Sequence, residues 1–377
     1  MNILIAPNAF KNSLDAVKSA EAIRAGLHHS LLQADCILQP IADGGDGMLS
    51  VMLSQEKGEI KKAIVNDALG RKVEAQFALI KQGKTAVIEM AEASGIRLLK
   101  DEELNPMHAS SYGTGELIKA ALDAGAQEIV IGLGGSATVD LGLGMAQSLG
   151  VTLLDASSLP IAAGGEGVKN LHTVDASTMD KRLHEVQIIV TCDVTNTLLE
   201  APSVFGPQKG ATQEMIQELE IHFKRVGELV KSKLGKDIIS PARTGAAGGL
   251  GAALLGFFDA KLVDGTDYLL SRTGFNEALE KAELIITAEG ALDIQTQAGK
   301  GPYYVATQAK KLNKPVIMLA GSLPKNYQAK DYAVYDVVLP IGPRPQPLEE
   351  ALAHTAENLE RTAFQIGNML ALKTKNE

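Results

Sequence analysis

The sequence has few cysteines and few aromatic residues, and it has no tryptophan, although it is 377 residues long. Its two cysteines, Cys36 and Cys192, cannot build a disulfide framework and do not form a Cys-x-x-Cys metal pair. The seven histidines show no His-x-x-x-His pairing, which argues against zinc. These absences exclude a disulfide-stabilised fold and disfavour a zinc enzyme.

The sequence also lacks long apolar segments and basic clusters. No segment reaches the roughly 20 apolar residues that a bilayer-spanning helix needs. The start, MNILIAP, has no basic region before its short apolar run, so we predict no signal peptide and expect a cytoplasmic protein. The net charge is −9 and no run of Lys or Arg exceeds two residues. We therefore expect no nucleic-acid or membrane partner, and the oligomeric state stays open.

Both ends of the chain alternate between strand and helix patterns, which is typical of a parallel sheet. The opening segments are a strand at 1–7, a helix at 15–31, a strand at 36–42 and a helix at 48–54. The closing segments are strands at 283–288, 315–321 and 334–340 and helices at 304–312 and 348–371. The shared alternation predicts one discontinuous domain built from both ends.

The middle of the chain has a different pattern. Residues 63–91 read as three strands joined by tight turns, which favours antiparallel pairing. Further on, the pattern predicts helices at 113–124 and 246–258 and strands at 128–133 and 185–192. The fold class is therefore α/β. We predict a three-layer Rossmann-like or flavodoxin-like domain, residues 1–57 plus 282–377, with a mixed α/β domain inserted at 58–281.

The glycine-rich segment GLGGSATVDLGLG, residues 132–144, directly follows a predicted strand. Its bare backbone, with the hydroxyls of Ser136 and Thr138, is suited to hold a phosphate group. The segment also matches Gly-x-Gly-x-x-Ala, a weak dinucleotide fingerprint for which Asp155 would be the ribose-binding acid. Because Gly142 and Gly144 interrupt the expected helix, we favour the phosphate cradle. A purely structural turn is the other reading.

Acidic residues follow three of the predicted strands. Asp43, Asp193 and Glu289 each come at a strand's carboxyl end, and Asp293 lies four residues after Glu289. Open parallel sheets bind ligands at that edge, where carboxylates serve as Mg²⁺ ligands or as a general base. Each acid alone could equally cap a turn or a helix.

Three lysines lie in turn or glycine-rich contexts: Lys11 after the first strand, Lys209 in FGPQKG, and Lys300 in AGKGP. Each would offer a point charge to a phosphate or a carboxylate. A solvated surface lysine is the ordinary alternative.

Distinctive segments follow one another in a fixed order: APNAFKNSL (6–14), PIADGGDG (40–47), SSYGTGELI (110–118), GLGGSATVD (132–140), CDVTN (192–196), FGPQKGA (205–211), GAAGGLGAAL (245–254) and AEGALDIQTQAGKGP (288–302). In their number and order the sequence resembles the type I glycerate kinases along nearly its whole length. The resemblance implies two α/β domains with a cleft between them. It also implies phosphoryl transfer from ATP to D-glycerate with Mg²⁺, in glycerate catabolism, with 2-phosphoglycerate favoured over 3-phosphoglycerate as product.

The resemblance also suggests roles for the candidate residues. Gly134, Gly135, Ser136, Thr138 and Lys209 would hold the nucleotide phosphates. Asp193 would be the base. The other acids would hold Mg²⁺ or orient the substrate: Asp43, Glu289 and Asp293. Which acids are catalytic and which bind the metal stays open. Lys11 and Lys209 would neutralise the substrate carboxylate and the transferring phosphoryl group.

The sequence departs from the family pattern at several positions. The family usually has Asp and Ser where this chain has Asn8 and Ala9, and an Asn cannot act as a base. Two alternatives therefore stay open: an NAD(P)-dependent oxidoreductase, suggested by the dinucleotide fingerprint, and a non-catalytic glycerate-binding or nucleotide-binding protein, suggested by Asn8.

Overall fold

A computed structural model describes residues 1–42, 44–292 and 301–374. The chain divides into two compact units. Unit 1 comprises Met1–Asp43, Ser50–Gln55 and Thr266–Glu377, and unit 2 comprises Gly44–Leu49 and Glu56–Gly265. The chain thus enters unit 1, leaves it for unit 2 and returns. The domain boundaries at 57/58 and 281/282 stay a prediction about independently folding domains.

The strands of the described residues, in chain order, are β1 (Asn2–Ile5), β2 (Asp35–Leu38), β3 (Gly58–Asn66), β4 (Lys72–Ile80), β5 (Thr85–Glu89), β6 (Glu128–Gly132), β7 (Thr152–Leu154), β8 (Thr173–Asp175), β9 (Gln187–Cys192), β10 (Lys261–Asp264), β11 (Leu284–Ala291), β12 (Val316–Ser322) and β13 (Val337–Pro340). The α-helices are α1 (Ala16–His29), α2 (Met48–Gln55), α3 (Ala91–Ser94), α4 (Tyr112–Asp123), α5 (Leu143–Ser148), α6 (Gly164–Asn170), α7 (Ala201–Phe205), α8 (Gln213–Leu234), α9 (Ala246–Phe258), α10 (Gly265–Arg272), α11 (Phe275–Lys281), α12 (Gly301–Lys311), α13 (Leu348–Ala353) and α14 (Thr355–Thr374).

Unit 1 is built on a five-stranded sheet in the order β13-β12-β11-β1-β2, and every pair in it is parallel. Alternate residues of the short β1 serve opposite faces: Leu4 packs in one apolar cluster, while Ile3 and Ile5 pack in the other. The second cluster includes residues of α1 and α14, and the first includes residues of α11 and α12. This three-layer arrangement, with its flavodoxin-like strand order, confirms the predicted fold class.

Unit 2 is built on a six-stranded mixed sheet in the order β10-β9-β6-β5-β4-β3. The pairs β3–β4 and β4–β5 are antiparallel, and the pairs β5–β6, β6–β9 and β9–β10 are parallel. The meander predicted within residues 63–91 is therefore confirmed. It begins earlier than predicted, at Gly58.

Two of the longer helices differ from the sequence analysis. The closing helix predicted over 348–371 is interrupted at His354, whose backbone (φ −108°, ψ 19°) separates α13 from α14. The hydroxyl of Ser13 lies 2.7 Å from Thr355 Oγ1 at this break. The second correction is α8, a 22-residue helix to which the sequence analysis assigned no element. Thr212 caps its start by accepting a hydrogen bond from Met215 N.

A search of the described residues for a membrane-crossing helix finds none of sufficient length and apolar character.

Candidate active site

Unit 1 contains a pocket of about 480 Å³ at the carboxyl ends of its parallel strands. Its walls are residues 8–12 after β1, 289–291 in β11 and 321–322 in β12, together with residues between 341 and 358. β1 connects through α1 to β2 on one side, while β11 lies on the other side of β1. The pocket is therefore at the topological switch point of the sheet, where open α/β sheets bind their ligands.

The pocket brings together two of the predicted site residues. Lys11 is exposed and follows β1, whereas Glu289 is only 6% exposed and lies in β11. Burial and the neighbouring Glu289 raise the pKa of the Tyr335 hydroxyl. The same pocket holds Asn8, whose Oδ1 accepts a hydrogen bond from Ala9 N at 2.8 Å. One cation and one carboxylate thus face a single cavity.

In unit 2 three glycine-rich segments come together backbone to backbone. A Cβ atom on Gly134 would overlap Gly45 Cα, and one on Gly132 would meet Gly44 O at 2.5 Å. A Cβ on Gly248 would overlap Thr138 O. The bare backbone at these positions is therefore required by close approach of other backbone segments.

The third of these segments also corrects the helix predicted over 246–258. Ala247, Gly248 and Gly249 all have positive φ, so that regular helical geometry in α9 begins only after them. The left-handed turn allows Gly248 O to accept a hydrogen bond from Leu141 N at 3.1 Å.

At the tip of the 132–144 segment, two backbone donors remain for a ligand. Gly135 is exposed and has φ +73°. Within the described part of the chain, the N–H groups of Gly135 and Ser136 have no hydrogen-bond acceptor. A pair of successive free N–H groups beside a left-handed glycine is a small anion-binding concavity. A Cβ on Gly135 would lie 3.4 Å from the carboxylate of Asp46, so an acid borders this concavity.

The structure also brings together Ser136, Thr138 and Lys209. Lys209 Nζ donates to Ser136 Oγ at 2.6 Å and to Thr138 O at 2.8 Å. The side chain is 2% exposed, and burial lowers the pKa of Lys209 to about 7, an effect that the charge of Asp140 opposes. Lys209 is thus a buried amine close to the 132–144 segment, and not a solvated surface lysine.

Asp140 fixes the far side of the same segment. Its carboxylate accepts hydrogen bonds from Ser111 N (2.7 Å), Ser111 Oγ (2.8 Å), Gly142 N (3.0 Å) and Gly144 N (3.3 Å). Complete burial raises the pKa of Asp140, while these donors act in the opposite direction. Asp140 therefore ties the start of α4 and α5 to the glycine-rich segment.

The loop that precedes α2 is held by a buried acid. Glu89, at the end of β5, accepts hydrogen bonds from Gly47 N at 3.1 Å and Leu49 N at 2.8 Å. Burial raises the pKa of Glu89 to about 7. Asp46 in the same loop pairs with Arg97 at 2.9 Å. These contacts fix the backbone of residues 46–49 within unit 2.

The remaining predicted residues differ in what the structure describes. Asp193 is exposed and follows β9 directly. Asp43 and Asp293 lie outside the described residues, as does Lys300.

The residue proposed to bind a dinucleotide ribose has a structural role instead. Asp155 Oδ1 accepts hydrogen bonds from Ser157 N and Leu159 N, and so it stabilises a turn. In addition, the helix after the Gly-x-Gly-x-x-Ala match begins only at α5, which removes the geometric basis of the dinucleotide fingerprint.

Comparison with known proteins decides the family. The model of the glycerate kinase family matches residues 3–371 of this chain. The chain belongs to the glycerate kinase family. It is 43% identical to the glycerate kinase of Halalkalibacterium halodurans, over 97% of both chains. It is 41% identical to the glycerate 2-kinase of Escherichia coli over the full length of both.

A solved structure gives the same assignment. The crystal structure named for glycerate kinase 2 of Salmonella typhimurium LT2 superposes with a TM-score of 0.87 at 41% identity. It covers 100% of this chain and 99% of that one. The prediction of a glycerate kinase, made from the order of the motifs, is therefore confirmed, and the oxidoreductase alternative is not supported.

One wall of the unit 1 pocket was not predicted from the sequence. Gln346, Leu352 and Asn358 line the cavity from the segment after β13 and from α13 and α14. The proline-rich stretch GPRPQP, residues 342–347, follows a strand and was the available signal for a ligand-binding loop. Glu89 and Asp140 were not predicted as site residues, although Glu89 ends a strand pattern and Asp140 lies within the 132–144 segment.

Proposed function

We propose that this chain transfers the γ-phosphoryl group of ATP to D-glycerate and forms 2-phosphoglycerate. The observation that carries the proposal is the pocket at the switch point of unit 1, which Lys11 and Glu289 both line. Phosphoryl transfer needs positioning and charge neutralisation more than covalent participation of the protein. A cation for an anionic substrate and a carboxylate for a metal are the minimal set for that chemistry.

The proposed roles follow from charge and accessibility. Lys11 is exposed at the pocket and would neutralise the acid substrate or the transferring phosphoryl group. The free N–H groups of Gly135 and Ser136 would bind phosphate oxygens. The buried amine of Lys209, which donates to Ser136 Oγ, would compensate the added negative charge. Asp193 would accept the proton of the attacking hydroxyl, since it is an exposed carboxylate at the end of β9.

A magnesium ion fits the donor chemistry of the pocket. Mg²⁺ prefers oxygen ligands, keeps several waters and commonly binds one or two carboxylates together with substrate phosphates. Among the described residues that line the pocket, Glu289 is the acid, and no cluster of three or more metal-binding side chains occurs in residues 1–42, 44–292 and 301–374. Glu289 would hold the ion, which would neutralise charge on the phosphates when bound. Asp43 and Asp293 stay candidates from the sequence.

The choice of the 2-phosphate as product rests on similarity. The Escherichia coli relative, named a glycerate 2-kinase, is 41% identical over the whole chain. The two hydroxyls of glycerate differ by one carbon, so that only a product assay separates the two outcomes.

A coupled assay tests both activity and regiochemistry. ATP, Mg²⁺ and D-glycerate are mixed with the protein, enolase, pyruvate kinase and lactate dehydrogenase, with or without phosphoglycerate mutase. NADH oxidation without mutase is the expected result and means 2-phosphoglycerate. Oxidation only with mutase means 3-phosphoglycerate. No oxidation from folded protein that still binds ATP would refute the kinase proposal and favour a non-catalytic binding protein.

The proposed base has a matched control. Asp193→Asn should reduce kcat by at least a hundredfold, because general base catalysis typically contributes a factor of roughly 10²–10⁴. Asp101→Asn changes another exposed acid of unit 2, one without a side-chain hydrogen bond in the described part of the chain. It should leave kcat unchanged. Equal kcat values for the two variants would remove Asp193 from the mechanism.

A further inference from the structure

The unit 1 pocket is much larger than a three-carbon acid requires. Its volume of about 480 Å³ falls in the range of cavities that bind drug-sized ligands and cofactors. Much of its wall is apolar: Phe10 comes from the loop after β1, Ile341 from the end of β13, and Leu352 from α13. Phe10 and Ile341 are both 4% exposed, so these side chains are fixed by packing. An apolar wall of this kind suits a flat ring better than a carboxylate, whose burial against it would be costly.

Two side-chain amides in the same pocket lack partners. Asn358, in α14, is 6% exposed and lines the cavity, and its amide makes no hydrogen bond to any group of the described residues. Gln346, in the loop before α13, has its Nε2 buried without a hydrogen-bond acceptor. A fully buried amide group without a partner among the described residues, such as Gln346 Nε2, is uncommon in folded proteins and calls for a ligand or water. The two amides therefore point to a ligand with both donors and acceptors on a neutral edge.

We infer that the apolar part of this pocket binds the adenine base of the phosphoryl donor and that the Asn358 amide recognises the edge of the ring. The inference rests on the proposed kinase function and adds the location of the base. An Asn or Gln amide pairs with adenine in a bidentate way, because its oxygen accepts from the exocyclic amine and its NH₂ group donates to a ring nitrogen.

The charges of the pocket agree with this assignment. Lys11 and Glu289 are the charged residues among its described lining, and both come from strand-end segments. The segment from 341 to 358 contributes neutral lining residues. A nucleotide likewise has a neutral part, the base, and a charged part, the polyphosphate with its metal ion. Glycerate has no neutral ring for the apolar wall.

The test compares ATP with purine riboside triphosphate, which lacks the exocyclic amine. For the wild-type protein we expect a KM about tenfold lower for ATP than for the analogue, the size of one lost hydrogen bond in a buried site. Asn358→Ala should raise the KM for ATP about tenfold more than it raises the KM for the analogue, because ATP loses both hydrogen bonds to the amide and the analogue loses only the one to its ring nitrogen. The preference for ATP should therefore disappear. The kcat and the KM for glycerate should not change.

Controls separate recognition from folding. Gln365→Ala removes an exposed amide of the same helix outside the pocket and should keep the wild-type preference. Should Asn358→Ala not fold, Gln346→Ala in the preceding loop replaces it and should raise the KM for ATP. A rise in the KM for glycerate with no change for ATP would overturn the inference and assign the pocket to the acid substrate. Unchanged constants in both variants would also overturn it.

Failure of the inference and failure of the proposed function have different signatures. If the wild-type protein shows no turnover, calorimetry with ADP tests the pocket alone. ADP binding that weakens about tenfold in Asn358→Ala would support the base site without kinase activity. ADP binding that is equal in both proteins, or absent from both, would overturn it.

Discussion

Lys209 Nζ donates a hydrogen bond of 2.6 Å to Ser136 Oγ across 73 residues of sequence. The amine is buried, and burial lowers its pKa from 10.5 to about 7. Lys209 thus fixes the glycine-rich segment through hydrogen bonds made within the core of unit 2. Its amine titrates near neutral pH.

The first prediction concerns stability and pH at Lys209. Between pH 7 and about pH 10 the unfolded chain keeps the proton that the folded protein has lost, so folding gains stability as pH rises. We expect the stability of the wild type relative to Lys209→Met to increase over this window by about 4 kcal/mol at most. Urea unfolding at pH 7 and pH 10 measures it. Lys330→Met, an exposed lysine, should show no such change, and a pH-independent difference for Lys209→Met would contradict the shift.

The second prediction concerns Glu89, whose pKa burial raises from 4.5 to about 7. Between pH 4.5 and 7 the folded protein binds the proton more tightly than the unfolded chain, so this residue's contribution to stability falls as pH rises. Glu89→Gln is neutral at every pH and keeps an oxygen that accepts from Leu49 N. Relative to wild type it should gain about 3 kcal/mol of stability between pH 4.5 and 8. Thermal unfolding at both pH values tests this, and a constant difference would be the contrary result.

The third prediction concerns the close backbone approach of Gly134 and Gly45. Gly134→Ala should destabilise the protein by about 1–3 kcal/mol, because the new methyl group meets backbone that cannot move aside cheaply. Gly342→Ala is the matched control, since a Cβ there has no neighbour closer than 3.9 Å. It should change stability by less than about 0.5 kcal/mol. Similar losses in the two variants, measured by urea unfolding, would show that the approach is not tight.

The fourth prediction concerns Lys11 in the unit 1 pocket. Lys11→Met should lower kcat/KM for the glycerate reaction about tenfold to a hundredfold, because charge-assisted hydrogen bonds contribute roughly 1.5–3 kcal/mol. Lys330→Met again serves as the control and should leave kcat/KM unchanged. Wild-type kinetics for Lys11→Met would mean that this lysine is merely solvated.

Periodicity predicted most of the fold. The alternating ends and the meander follow local patterns, and the strand-end position of Glu289 was enough to expect it at a ligand-binding edge. α8 was missed although Ile216, Leu219 and Phe223 repeat at helical spacing on its buried face. The break at His354 was not predicted; the distant Ser13 donates a hydrogen bond to Thr355 Oγ1 there, a contact that local periodicity does not encode.

The candidate site was only partly predictable for a related reason. The glycines of residues 132–144 suggested a phosphate cradle, yet most of their bare backbone meets other backbone segments. Gly135 and Ser136, at the tip of the segment, keep N–H groups that are free within the described residues. Burial of Lys209 depends on a chain segment far away in sequence. Gln346 and Asn358 belong to no motif, since a lone amide becomes meaningful only when a cavity surrounds it.

The order of the strands in unit 1 has a consequence for the newly made chain. β1 is a central strand, and Ile3 on it pairs with Leu284 on β11. At about 5–20 residues per second, a ribosome needs roughly 15–60 s to make the chain between these two positions. During that time the edge of β1 that pairs with β11 has no partner strand, while all of unit 2 leaves the ribosome. Synthesis in the cell therefore favours folding of unit 2 before the β1–β11 edge of unit 1 is completed, so that β1 is made early and covered late.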